Sequence, residues 1–431
     1  MTSSPKDVAA AYTALGLQPP TGAPQAGQYF GARPVPGGVV QEWDIPGEEL
    51  QRLRILWPSL GCGDADAVRA AAAAGLAVEQ VLRVGEQSSR PVLYRHTATG
   101  TLSGKPTWSQ LATVLGGRVP YWPVRLRIHS AIQRWRPGAD PAIVAAVPSI
   151  DVAAAGSLAA VLAEGSPARR VVQHLLTDAM ARAAAETRTE ITLLSRGAWA
   201  DLLDIAAHPL DVPVPARLPE DVCAAGWGEV MNRTDDLADA VVNAARWHPV
   251  QLPYAVIDDI DPASTASAQW VAQLEPVSRE HQPAKFEMLR ADSTHEEVAH
   301  LIDPHTGVPV IRYRTGRLRY AAPASLPVSS PLAEVVFDHQ QVWIRVADGA
   351  LYPAPRCGEA YGPLGYGADS SRSLELAVLL ARLLDDIAAG PATSGSDRPP
   401  SPGLLRLTST SWPDATVIGR ADLETARTAS S

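Results

Sequence analysis

Thr107-Trp108-Ser109-Gln110-Leu111-Ala112-Thr113-Val114-Leu115-Gly116 reads as a helix with both of its ends specified. Thr107 and Gln110 have capping-box spacing: the threonine side chain takes the amide three residues on, and the glutamine reaches back to the threonine amide. Leu111, Val114 and Leu115 recur at helical spacing as an apolar stripe. Gly116-Gly117 ends the helix. Downstream, residues 124–135 carry a second stripe of Val124, Ile128, Ala131, Ile132 and Trp135. Arg125 and Arg136 flank it on one side, Arg127 and Arg134 on the other, with His129 and Gln133 outward. Upstream, residues 67–86 hold an alanine run, then Gly75-Leu76, Val81 and Val84. These patterns predict a helical module over residues 46–136.

Charge marks the same region. Residues 87–136 contain Arg90, Arg95, Lys105, Arg118, Arg125, Arg127, Arg134 and Arg136 and no acid, a charge of +8 in a chain whose net charge is -9. Such asymmetry is the footprint expected of a face that binds a polyanion, since arginines on phosphates release counterions. The competing reading is a solvated surface whose cations pair with acids from elsewhere in the chain.

A tight helix-turn-helix needs a small residue where its helices cross, a glycine at the turn and apolar residues to pin the second helix. Ala71, Gly75, Leu76, Val81 and Val84 occupy those places. Residues 67–136 thus resemble bacterial helix-turn-helix DNA-binding proteins, and the helix from Thr107 looks like the first helix of many such domains. Residues 118–123, with two prolines, depart from the pattern, being too long for a turn of about three to four residues. The resemblance implies duplex DNA as partner. Arg118, Arg125, Arg127, His129, Gln133, Arg134 and Arg136 are the candidate contacts.

The rest of the chain predicts an α+β, multi-domain protein. Residues 1–45 read as a Pro/Gly-rich arm. Residues 150–284 read as an Ala-rich helical domain, and residues 285–389 as an α+β domain. Residues 390–431 read as a disordered or loosely packed tail. Within the α+β part, residues 308–313 and 317–320 flank Thr315-Gly316 as a hairpin, and Asp348-Gly349 marks a further turn. Leu374, Ala377, Leu380, Leu383, Leu384 and Ile387 form a helical stripe. Tyr361-Gly362-Pro363-Leu364-Gly365-Tyr366-Gly367 before that helix resembles a small bacterial domain of unknown function, over residues 335–390. That resemblance implies no activity.

The hairpin carries Arg312, Arg314, Arg317 and Arg319, a ribbon able to grip phosphates. The alternative is pairing with Glu287, Asp292, Glu296, Glu297 and Asp303. Asp258, Asp259 and Asp261 follow an apolar strand-like run, where polymerases and nucleases place carboxylates for two Mg²⁺ ions. Asp338 and His339 would have to complete that centre. Other catalytic patterns fail. Residues 100–107 have one residue too few between glycines for a phosphate loop, with Pro106 after Lys105. His295 and His300 are five apart, so they do not share a helix face as zinc-protease histidines do.

Composition bounds the rest. With 46% hydrophobic residues in 431, a sizeable core is expected, and the mild net charge excludes a histone-like polycation. Three scattered cysteines suit a reducing cytosol. No signal peptide is read, and the Ala-rich residues 142–165 contain Asp151 and Pro148, which argues against a membrane span. Three lysines against 34 arginines suggest a high-GC bacterium. The expectation is a cytoplasmic DNA-associated protein, regulatory or from a mobile element, without a cofactor. A metal-dependent nucleic-acid enzyme using Mg²⁺ is the first alternative. A scaffold for a protein partner or a second copy of the chain is the other.

Overall fold

The computed structural model describes residues 5–23, 25–63, 66, 80–87, 90–97, 99, 101–246, 256–260, 262, 264–290, 296–323, 325–356, 366–367, 371–390 and 399–429. The chain divides into two compact units, one of residues 1–150 and 177–215, the other of residues 151–176 and 216–431.

The first unit is rich in β-structure. After helix α1 (Pro5–Ala14) come β1 (Gln28–Val35), β2 (Gly38–Ile45), β3 (Gln51–Pro58), β4 (Gln80–Gln87), β5 (Arg90–Thr97) and β6 (Leu102–Gly104). They form one six-stranded sheet in chain order. Its pairings are antiparallel except that of β3 with β4. The expected helical N-terminal part is therefore overturned. The prolines and glycines of the expected arm serve a hairpin: Val35 pairs with Gly38, and Gly37 takes a positive φ of 75° at the turn. Pro34 sits on the edge strand, where no ladder N–H is needed. Val81 and Val84, expected on a helix, lie buried in β4. The remainder of that first helix-turn-helix candidate, residues 67–79, lies outside the described residues.

The helix from Thr107 forms as expected, as α2 (Trp108–Leu115). Both capping-box bonds are present, and Gly116 closes the helix at φ 76°. A helix-turn-helix does not follow. The chain enters β7 (Val119–Tyr121), then a 3₁₀ turn (Val124–Leu126), then the short α3 (His129–Arg134) and β8 (Ala142–Val144). The expected helix over 124–135 is broken at Arg127, whose ψ of 60° leaves the helical region. Its guanidinium holds it there by bonding the carbonyls of Trp122 and Pro58.

Helix α4 (Val152–Val161) belongs to the second unit, and α5 (Pro167–Leu194) contributes to both. The first unit is completed by α6 (Ala198–Leu202), β9 (Leu203–Ile205) and β10 (Ala207–Pro209). β9 pairs parallel with β7, and β10 with β8. This unit's core is aromatic: Trp57, Trp108, Tyr121 and Trp122 are buried in one cluster with Leu111, Val114 and Ile132.

In the second unit, α7 (Glu220–Met231) and α8 (Asp236–Arg246) precede β11 (Val256–Ile260), α9 (Thr265–Val271), β12 (Glu275–Pro276) and α10 (Pro283–Leu289). There follow β13 (Glu297–Ile302), β14 (Pro309–Tyr313), β15 (Leu318–Ala322), β16 (Leu332–Asp338), β17 (Gln341–Val346), β18 (Leu351–Pro353) and α11 (Ser371–Asp385). The end of the chain supplies α12 (Pro402–Ser409), β19 (Thr416–Gly419) and α13 (Arg420–Thr428). Two sheets result, ordered β11-β15-β14-β13-β12 and β18-β17-β16-β19. Trp270, Tyr320 and Trp343 pack in one buried cluster with residues of both. The expected hairpin is β14–β15. The expected stripe on α11 buries Ala377, Leu380, Leu383 and Leu384, while Leu374 is exposed. The expected loose tail is instead structural: Leu404 and Leu423 are fully buried, and β19 extends a sheet. Among the described residues no helix is long and apolar enough to cross a membrane.

Candidate functional site

β3 ends at Pro58, and the next amide, Ser59, donates to the Gly37 carbonyl at 2.9 Å. That bond ties Ser59 to the β1–β2 hairpin. Opposite it stand the 3₁₀ turn and the start of α3. Ser59 Oγ lies 3.0 Å from His129 Nε2, a hydrogen bond across 70 residues of sequence. His129 makes no other polar contact among the described residues. Together with Val124, Arg127, Ile128 and Val147, the pair lines a groove of about 440 Å³. That volume lies within the ~300–1,000 Å³ of small-molecule sites.

Arg127 gives the groove its charge. It is 6% exposed. Nε donates to the Trp122 carbonyl at 3.1 Å, and Nη1 to the Pro58 carbonyl at 3.4 Å. The guanidinium carbon lies 5.6 Å from the centre of the Trp57 ring. Nη2 is buried and has no hydrogen-bond partner among the described residues. No carboxylate pairs with Arg127 among the described residues. Carbonyl dipoles and an aromatic face stabilise a buried cation only in part, and an unpaired charged donor is costly.

Of the candidate contacts read from sequence in this unit, the structure brings together only Arg127 and His129. Arg125 pairs with Glu186 at 2.7 Å and donates to the Val147 carbonyl. Arg134 bonds the Ser130 carbonyl within α3. Arg136 bonds the carbonyls of Gln133 and Trp135 and lies over the Tyr29 ring. Arg118 is exposed and Gln133 half-buried. The +8 segment also shares its unit with acids, 17 basic against 16 acidic residues, so the unit as a whole is nearly neutral. Ser59 was not among the candidates. Nothing local marks it, because its partner is remote in sequence.

In the second unit the arginine ribbon forms, and three of its cations meet carboxylates. Arg314 pairs with Glu296. Arg317 and Arg319 both bind Asp259, at 2.9 and 3.0 Å. Arg312 is half-buried on β14. Asp258 pairs with the buried Arg356 at 2.7 Å and accepts from Gln341. Asp258 and Asp259 thus act as counter-charges to arginines. Asp261, Asp292 and His295 lie outside the described residues.

Asp338 and His339 converge with Asp414, their ligand atoms lying within 4.8 Å of one another. Asp338 accepts from the Ala266 amide and from His339 Nδ1, both at 2.9 Å. The His339 amide donates to Asp414. His339 and Gln340 have φ of 50° and 64°, as a two-residue hairpin turn between β16 and β17 requires. The strained backbone is thus a property of the turn.

No family model, no curated protein and no solved structure matches this chain.

Proposed function

We propose that the first unit binds a phosphate-bearing ligand in the Arg127 groove, drawn either from a small phosphate ester or from the backbone of DNA. The observation that carries this reading is Arg127 on the lining of the groove, with no carboxylate partner among the described residues, beside the Ser59–His129 pair. Planar guanidinium donors match phosphate geometry, and the serine and histidine add neutral hydrogen-bonding groups. A DNA-associated role rests on the same chemistry, with a single phosphate seated in the groove and exposed Arg118 and Arg134 in its unit.

The test uses the full-length protein. Inorganic phosphate is titrated while the melting temperature is followed, since a ligand that binds only the folded state raises it by mass action. Fluorescent duplex DNA is titrated in parallel at several salt concentrations. A phosphate-dependent rise without duplex binding assigns a small ester. Duplex binding whose log affinity falls with log salt by ~0.9 per phosphate contacted assigns DNA. Both responses should weaken in His129→Gln, an exposed position whose change leaves the core intact. No response to millimolar phosphate and no duplex binding at about 50 mM salt would overturn the proposal.

A further inference from the structure

We infer that Ser59 is a nucleophile and His129 its general base, making the groove a hydrolytic site for esters that carry an anionic group. The inference deepens the phosphate-binding reading and rests on it for the role of Arg127. The geometry has three parts. Ser59 Oγ and His129 Nε2 are 3.0 Å apart, within the ~2.6–3.2 Å that a serine and its base require. The pair faces a groove of about 440 Å³, so a substrate has room at the hydroxyl. Arg127, a cationic residue lining the same groove with no carboxylate partner among the described residues, suits a fixed negative charge on the substrate.

The backbone holds the two reactive side chains still. Ser59 sits directly after β3, its amide bonded to Gly37. His129 opens α3, whose Ala131 and Ile132 are buried in the unit's core. Arg127 bonds the Pro58 carbonyl, one residue before the nucleophile, and so couples the 3₁₀ turn to the end of β3. Arg127 thereby fixes the approach of His129 to Ser59 as well as supplying charge.

The reaction balances as ester plus water to acid plus alcohol. Ser59 Oγ bonds to the ester carbonyl carbon while His129 Nε2 takes the hydroxyl proton, and the carbonyl electron pair moves to oxygen. The tetrahedral species collapses, the C–O bond to the alcohol breaks, and the departing oxygen takes the proton from His129. Water then attacks the acyl carbon as His129 accepts its proton. The Ser59 ester bond breaks, and the proton returns to Oγ. The dyad has no third member at His129 Nδ1 among the described residues, so its base is less firmly oriented than in a triad.

The test is covalent labelling of the full-length protein by a fluorophosphonate, read as intact mass and as the labelled peptide. The expected result is one adduct, on Ser59, absent in Ser59→Ala and formed at least about tenfold more slowly in His129→Ala. Millimolar inorganic phosphate should slow the labelling by occupying the groove. Melting curves of both variants, expected to match the parent, establish that they are folded. Labelling of Ser59 at the same rate with and without His129 would overturn the dyad. So would no adduct on Ser59 in a protein whose melting temperature still rises with phosphate, an outcome that leaves the binding reading standing. Labelling that depends on His129 but is indifferent to phosphate would support the dyad and remove Arg127 as the anion site.

Discussion

Asp338 shows how much one buried side chain does here. Its side chain is 2% exposed, and its oxygens accept from the Ala266 amide and from the His339 ring. Burial pulls its pKa upward, but the Ala266, His339 and Ser264 donors outweigh it and leave the carboxyl below its ordinary value. The sign of the consequence follows. A carboxyl depressed in the fold contributes stability that is present above its unfolded pKa of ~3.9 and is lost as pH falls through the lower folded value. Asp338→Asn should therefore cost about 1–3 kcal/mol at pH 7, because the amide leaves a buried donor mismatched. It should also flatten the fall in urea midpoint below about pH 4. Equal acid sensitivity in the two proteins would show that Asp338 is not held ionised by these bonds.

Helix α2 isolates the effect of end signals. Its buried residues, Trp108, Leu111, Val114 and Leu115, face the core, and its two ends are closed by Thr107–Gln110 and by Gly116. Thr107→Ala removes an acceptor for the Gln110 amide and should cost ~1 kcal/mol. Gly116→Ala should cost more. The position has φ 76°, and an added Cβ would lie 2.4 Å from the Ala26 Cβ. Urea denaturation gives both values, and the ordering is the critical result: a threonine variant less stable than the glycine variant would contradict this account. α3 is the opposite case. A clean stripe over 124–135 predicts one helix, yet Arg127 bonds to carbonyls outside it and splits the segment. Periodicity reports which residues are apolar, and a tertiary hydrogen bond can still break the backbone that carries them.

At the scale of the whole chain, continuity in sequence is a poor guide to what folds together. The first unit needs residues 1–150 and 177–215. A fragment of residues 46–136 lacks β2, the antiparallel partner of β3, together with β1 beyond it, and β9, the partner of β7. It would expose Ile55 and Trp57, which are fully buried in the intact chain. Circular dichroism of this fragment should show no cooperative melting transition, whereas the full chain should melt cooperatively. A cooperative transition in the fragment would mean that the sheet tolerates the loss of two strands.

What the sequence determined by itself is local. The capping box at Thr107, the hairpin at Thr315-Gly316, the turn at Asp348-Gly349 and most of the stripe on α11 need only neighbours within a few residues, and all form. The sequence pattern does not reveal the class of the N-terminal part, in which β2 is buried almost throughout. A strand buried on both faces shows no alternation to mark it. The charge pattern was legible as composition but not as function, since most arginines of the +8 segment bond carbonyls or acids that only folding supplies. Tertiary structure alone decided that Asp259 serves Arg317 and Arg319, that Arg127 is buried against the carbonyls of Trp122 and Pro58, and that Ser59 meets His129. The reason is physical: a side chain's partner is set by where strands and turns place it, and pairings across 70 residues leave no periodicity in the chain.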